Sequence, residues 1–428
     1  MTNVNIKNAI IFLLIITLLN LCVPNVAAAS KNNYSVLFYN NAQHTSDHML
    51  MARGSTSNGT LNWKYVTKSI VTSSATFNSV VYVGSNDNNV YALNAITGTK
   101  VWSYATGYKV ESSPAVANGI VYVGSDDHNV YALNATTGTK VWNYTTGDLV
   151  TSSPTVANGI VYVGSFDHNV YALNATAGTK VWSYTTGDAV YSSPSVANGI
   201  VYVGSHDYNV YALSAKTGVK IWSYKTRDFV FSKPAVANWI VYVGSWDGNV
   251  YALNAVTGTK VWNYTTGGGF LAHTSPTVAN RIVYIGSMDH NVYALNARTG
   301  TKVWSYTTGA PVAPSPTVAN GIVYVGSDDN NVYALNATTG TKVWNYTAEN
   351  RVESSPTVAN GIVYVGSNDH NVYALNATTG MKVWNYTTGD LVTSSPTVAQ
   401  GISCAKGVVG CAEGFSCIAV KVESFFLY

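Results

Sequence analysis

The 428-residue chain has little charge: Asp, Glu, Lys and Arg together make up 10% of it, against roughly 25% in an average soluble domain. The net charge is only +3, so the basic stripe of an electrostatic nucleic-acid binder is missing. Hydrophobic residues reach 47%, which excludes a disordered chain, since that needs low hydrophobicity and high charge. Glu, a good helix former, occurs five times, while Tyr occurs 31 times. That balance favours strands over helices.

Cysteine is scarce as well. Cys22 lies near the start, and Cys404, Cys411 and Cys417 lie in the last 25 residues. The long stretch between them cannot depend on disulfides. Three tail cysteines are one short of a four-ligand zinc site, and no histidine follows them. Long apolar runs are also missing. The best one, residues 9–19, is well below the ~20 residues of a membrane-spanning helix. Lys7 precedes it and Ala27-Ala28-Ala29 follow, so 1–29 reads as a secretory signal peptide cleaved before Ser30. The expectation is a secreted or cell-surface protein with no transmembrane span in the mature chain. Ten Asn-x-Ser/Thr sequons, most of them copies of Asn-Ala-Thr or Asn-Tyr-Thr, make a glycoprotein the matching expectation.

What the chain has in abundance is one repeat. Trp63, Trp102, Trp142, Trp182, Trp222, Trp262, Trp304, Trp344 and Trp384 are spaced by 39, 40, 40, 40, 40, 42, 40 and 40 residues. Within a unit, short Val- and Tyr-rich runs alternate with Asn-Gly, Asp-His-Asn and Thr-Gly turns, the pattern of successive antiparallel hairpins. Four strands fit each unit: A around 153–157, B over 160–165, C over 169–174 and D over 180–185. Four-stranded units of this length are propeller blades. The expected fold is an all-β, eight-bladed β-propeller of four-stranded antiparallel blades. The register of Trp102, Trp142, Trp182, Trp222, Trp262, Trp304, Trp344 and Trp384 makes them docking residues that fill the wedge between blades.

The run Ala132-Leu133-Asn134-Ala135-Thr136-Thr137-Gly138-Thr139-Lys140-Val141-Trp142, with the upstream Gly-Ile-Val-Tyr-Val-Gly-Ser, resembles the tryptophan-docking motif of pyrroloquinoline-quinone-like, or quinoprotein-type, propellers. That family includes the outer-membrane barrel-assembly lipoprotein and archaeal cell-surface propellers. The resemblance covers about 61–402. It leaves 30–60 as an N-terminal lead-in and 403–428 as a divergent, Cys-containing tail where the repeat stops abruptly through truncation, a frame shift or a variant cap. Asn94, Asn134, Ser214 and Asn254 stand where the family usually has Asp. The family closes an eight-bladed ring by completing the last blade with an N-terminal strand. Here 61–66 and 382–387 both claim that outer place, and 394–399 is a surplus A strand. Either one strand is displaced or the surplus strands begin a ninth blade; eight blades are the expectation.

In a propeller the D–A and B–C connections share one face. The A–B and C–D turns share the other, and here they are nearly constant, with Asn238-Trp239 and Asn280-Arg281 as departures. Variation gathers on the D–A/B–C face. Phe166, Tyr191, His206, Tyr208, Phe229, Phe231, Trp246, Phe270 and Met288 fall in consecutive units and would share one sector. Aromatic clusters of this kind mark binding surfaces. Asp-x-Asn recurs in each B–C turn, with His128, His168, His290 and His370 inside it. An Asp capping its own turn accounts for that pattern, and copies on different blades diverge from the axis. No metal and no cofactor are therefore expected.

The favoured reading is an exported, non-catalytic scaffold that binds a protein or cell-envelope glycan at the cell surface. The resemblance implies an alternative, a quinone-dependent dehydrogenase. Such enzymes hold the quinone and a calcium ion near the ring axis, with acidic residues and often a vicinal cysteine pair. The repeats have no cysteine, and Glu111 and Glu353 are the only axis-side acids outside the repeated pattern. A surface-layer spacer without a discrete site is a further alternative.

Overall fold

The computed structural model describes residues 33–37, 48–54, 61–67, 69, 71–268, 274–388 and 391–400. The expected signal peptide, the tail, all four cysteines and Phe270 lie outside the described residues. Each unit folds as read. In the third blade the strands are Thr155–Ala157, Ile160–Gly164, Asn169–Asn174 and Lys180–Thr185, paired antiparallel in that order. The A–B turn places Asn158 at φ 50° and Gly159 at φ 74°, the two positive values that a tight type I′ hairpin needs. A register shift between Ala172 and Leu173 sets Trp182 opposite Ala172.

Strands B and C are buried along their apolar length apart from the half-buried first residue of B, because a neighbouring blade covers each face. Alternate residues therefore serve opposite junctions. Tyr122, Val130, Ala132 and Trp142 of blade 2 pack with Val161, Val163, Tyr171 and Leu173 of blade 3. Strand D forms the rim, so only its Trp is buried while Val181 beside it is 46% exposed.

Eight such blades occupy residues 75–105, 115–145, 155–185, 195–225, 235–265, 277–307, 317–347 and 357–387. The surplus strands at the two ends do not compete for one outer place. They combine as a further four-stranded sheet: Thr397–Gln400 is its A strand, and Asn33–Leu37, His48–Gly54 and Leu61–Thr67 are its B, C and D strands. The eight repeat blades are the eight expected, and round the axis they are joined by this composite sheet, two of whose strands come from 33–37 and 48–54. The A strands contact one another in sequence, and that of the composite sheet touches both blade 8 and blade 1. Thr397 Oγ1 donates to Ser74 O across the closing junction.

The junctions carry the docking tryptophans. Trp182 Nε1 donates to Ala215 O of the next blade at 3.0 Å, and Tyr162 OH donates to the same oxygen at 3.1 Å. The indole lies on the following turn glycine; a Cβ on Gly218 would sit 2.6 Å from Trp182 Cδ2. Each of Trp102, Trp142, Trp222, Trp262, Trp304 and Trp344 repeats the bond. Trp384 is likewise buried. Trp222→Ala is expected to lower stability by about 3–5 kcal/mol, the range for deleting a buried aromatic side chain. Val181→Ala, on the open side of a D strand, should change it by under ~0.5 kcal/mol. Urea unfolding followed by tryptophan fluorescence checks both.

Candidate binding face

The D–A/B–C face is held rigid by backbone bonds between neighbouring blades. The residue after Gly-Ser is fixed by its own N–H in blades 2 to 5, 7 and 8, as where Phe166 N donates to Leu149 O, His206 N to Ala189 O and Trp246 N to Phe229 O, at 2.9–3.0 Å. The turn Asp adds a second tie. Asp167 Oδ1 accepts from Asn169 N, the turn cap expected from the sequence, while Oδ2 accepts from Tyr171 OH and, across the junction, from Gly147 N at 2.6 Å. Burial would raise the Asp167 pKa, but these hydrogen bonds outweigh it and hold it below the usual carboxylate range. The carboxylate's binding capacity is thus spent inside the fold. Sequence reading found the cap but missed the tie between blades, which no local spacing reveals.

On this frame the predicted aromatics of blades 3 to 5 meet. Phe166 lies 6.0 Å from both Tyr191 and His206, ring centre to ring centre. Tyr191 reaches Phe231 at 5.3 Å, and His206 reaches Phe231 at 4.5 Å and Phe229 at 5.0 Å. Phe231 contacts Trp246 at 4.7 Å, and Tyr208 contacts Phe229 at 5.3 Å. Seven rings therefore form one connected cluster. Most are half-buried against each other, and Tyr208 is 37% exposed. Met288 takes the same turn position in blade 6 and is half-buried, but no ring contact joins it to the cluster.

His206 is the polar centre. Its Nε2 is buried with no hydrogen-bond partner. Burial lowers its pKa, against the opposing pull of Asp188 and Asp207, which favours a neutral imidazole with a free polar atom. Nearby, the residues two before each inner strand link round the axis through serines, as in Ser153 N to Ser193 Oγ and Ser275 N to Ser315 Oγ. Lys233 replaces serine in blade 5, two residues after Phe231. Sequence reading passed over it, although the change from Ser-Ser-Pro to Ser-Lys-Pro was the signal.

The rest of the mouth is polar. Asn86, Asp126, Asp328 and Asn368 hold the turn position that Phe166, His206 and Trp246 hold elsewhere, and each has a buried Oδ1 without a partner. Asp126 is pushed up to about 6, first by burial and then by Glu111; Asp328 is raised by burial and then by Glu353. A cavity of about 390 Å³ opens here, lined by Asn86, Glu111, Ser113 and Ser394 among others. Glu111 and Glu353 stood out in the sequence. Their partners Asp126 and Asp328 did not, because they resemble the turn Asp that follows them.

These acids form two separate pairs, on blade 2 and across blades 7 and 8. Among the described residues no three His, Cys, Asp or Glu side chains converge. Two acid pairs with neutral amide oxygens are the donors this mouth offers, and no reaction step is derived from them.

Two family profiles match the sequence. One is the β-propeller of the beta-alanine-activating enzyme, over residues 93–278. The other is the outer membrane protein assembly factor BamB, over 289–419. Among solved structures, BamB from Moraxella catarrhalis is 18% identical, with 72% of this chain and 98% of that chain covered and a TM-score of 0.57. The computationally designed Ika8 protein gives 18%, 74%, 96% and 0.59. A europium-containing methanol dehydrogenase gives 17%, 76%, 79% and 0.54. At these identities the likeness is one of fold. No curated protein matches.

Asp126 gives this face a pH signature. Its folded-state pKa lies above that of unfolded aspartate, so the folded state binds more proton between about pH 4 and pH 6. Stability is greater below that window and falls as the pH rises through it. Asp126→Asn is expected to raise the melting temperature at pH 7, to leave it unchanged near pH 4, and to flatten the decline between. Thermal melts across that range test the sign.

Proposed function

We propose that this pyrroloquinoline-quinone-like propeller is an exported, non-catalytic scaffold that binds a protein or glycan partner at the cell surface through its D–A/B–C face. The observation that carries the reading is the connected cluster of seven rings round a buried, unpartnered imidazole nitrogen. A spacer with no site would need no such cluster. Aromatic side chains on fixed backbone contribute large contact area with little entropy lost on binding. The buried His206 Nε2 gives direction to a ligand that apolar ring faces alone would hold loosely. One matched family is described as an outer membrane protein assembly factor, which agrees with a role in holding other molecules.

Replacing Phe229, Phe231 and Trp246 together by Ala is expected to abolish retention of the mature chain on immobilised native cell envelope. Strand-dominated circular dichroism should persist, because none of the three lies in a B or C strand. Retention equal to that of the unmodified protein would overturn the proposal. A companion measurement addresses the dehydrogenase alternative. Incubation with pyrroloquinoline quinone and calcium, followed by gel filtration, is expected to leave no chromophore on the protein and no dye reduction with alcohols or sugars.

A further inference from the structure

The opposite face, built from A–B and C–D turns, is nearly uniform; besides the small Ser79 of blade 1, its A–B departures from glycine are two bulky residues at one junction. In blades 2, 3, 4, 7 and 8 the second turn residue is Gly119, Gly159, Gly199, Gly321 or Gly361, with φ between +73° and +75°. Blade 5 has Trp239 there at φ 62°, and blade 6 has Arg281 at φ 64°. Holding a bulky side chain in the left-handed region costs roughly 1–2 kcal/mol. Packing does not offset that cost. A Cβ at any of those five glycines would meet no atom within 4 Å, and Trp239 is 56% exposed. Two adjacent blades thus carry strained, outward side chains that the fold does not use.

Arg281 has company. The C–D turn of the same blade carries Arg298, where the other repeats have Ile96, Thr136, Thr176, Lys216, Val256, Thr338 and Thr378. Both arginines are exposed. Both line a cavity of about 480 Å³ between blades 5 and 6, together with Asn238, Ile240, Tyr242 and Asn296. Trp239 lies in the chain between two of these lining residues. The cavity has no carboxylate in its lining. Among the described residues the ion pairs are His128–Asp148, His168–Asp188 and Arg351–Glu353, so neither arginine is engaged in one.

We infer that this junction binds a saccharide bearing carboxylate or sulfate groups. Two arginines lining one cavity can recognise planar or tetrahedral anions through paired N–H donors. The exposed indole of Trp239, next in the chain to the lining residue Asn238, offers a flat apolar platform for the C–H face of a sugar ring, and Asn238 and Asn296 in the lining bring polar groups for its hydroxyls. A compact cavity with one platform suits a ring better than an extended acidic peptide, which would need a groove. The inference is independent of the aromatic cluster on the other face.

Calorimetric titration tests it, with trigalacturonate, a heparin-derived tetrasaccharide, neutral maltotriose and hexaglutamate as probes. Trp239→Gly, Arg281→Gly and Arg298→Thr each restore the residue that neighbouring repeats carry, so the variants keep the fold and relieve the turn strain. At least one acidic saccharide is expected to bind, more weakly as salt rises. Its affinity should drop by about tenfold or more, the scale of losing a charge-assisted contact, in Trp239→Gly and in the Arg281→Gly/Arg298→Thr pair. The variants' melting temperatures should not fall. Absence of binding by both acidic saccharides, unchanged affinity in the variants, or equally tight binding of hexaglutamate would each overturn the inference.

Discussion

One carbonyl per junction organises this molecule. The alanine oxygen of each C–D turn accepts both an indole N–H and a tyrosine hydroxyl from the preceding blade, as Ala175 O does from Trp142 and Tyr122. Two large side chains can converge there only if the turn comes close, and the glycine under the indole allows that approach. A side chain on Gly178 would place Cβ 2.5 Å from the Trp142 ring. The constancy of this glycine across the copies follows from that contact as well as from the turn itself, where it takes φ between +69° and +72°. At the other edge of the junction the Asp tie completes the hold. Val, Leu and Tyr side chains fill the space between the two ties, with exposures near zero.

Residues engaged in those ties cannot vary, so variation is pushed to positions where the backbone is fixed and the side chain is unused. The position after Gly-Ser meets both conditions. Its N–H is tied to the neighbouring blade in blades 2 to 5, 7 and 8, and its side chain faces the mouth of the ring. It reads Asn, Asp, Phe, His, Trp, Met, Asp, Asn from blade 1 to blade 8. One arc is aromatic and the other is polar with two raised carboxyl pKa values. A scaffold that fixes the backbone while leaving the side chain free presents a preorganised surface, which reduces the ordering cost of binding.

Strand positions were legible from the chain because each unit repeats its own local rules. The apolar alternation set the strands, and Asn-Gly and Thr-Gly set the turns. The aromatic sector was legible for the same reason, since departures from a strict copy are easy to see. Three things were not legible. The Asp tie joins residues 20 apart on different blades, and its local cap already explained the residue. The acid pairs join positions brought together by the ring alone. The composite sheet joins residues near opposite ends of the chain: 61–66 and 394–399 show the D and A patterns, but 33–37 and 48–54, which supply its B and C strands, carry no consensus motif.

That composite sheet decides the size of the ring. Seven near-identical junctions fix the angle between neighbours but contain no signal for where to stop. The stop comes from the ends. Asn33–Leu37 pairs antiparallel with Thr397–Gln400, so the first and last described strands lie side by side. The imitation of a regular blade is close despite the different sequence. Ala52 stands opposite Trp63 with a register shift just after it, as Ala172 stands opposite Trp182. Tyr65 meets Tyr91 of blade 1 at 5.5 Å and 58°, the same values as Tyr104 and Tyr131 between blades 1 and 2. A sheet assembled from both ends has the geometry of the copies because it answers to the same junction contacts. Once it is in place, the inner strands form a continuous circle. The ring closes where its sequence is least repetitive, and that gives an otherwise uniform propeller one defined start and a defined order of faces on which the aromatic arc and the arginine junction hold fixed places.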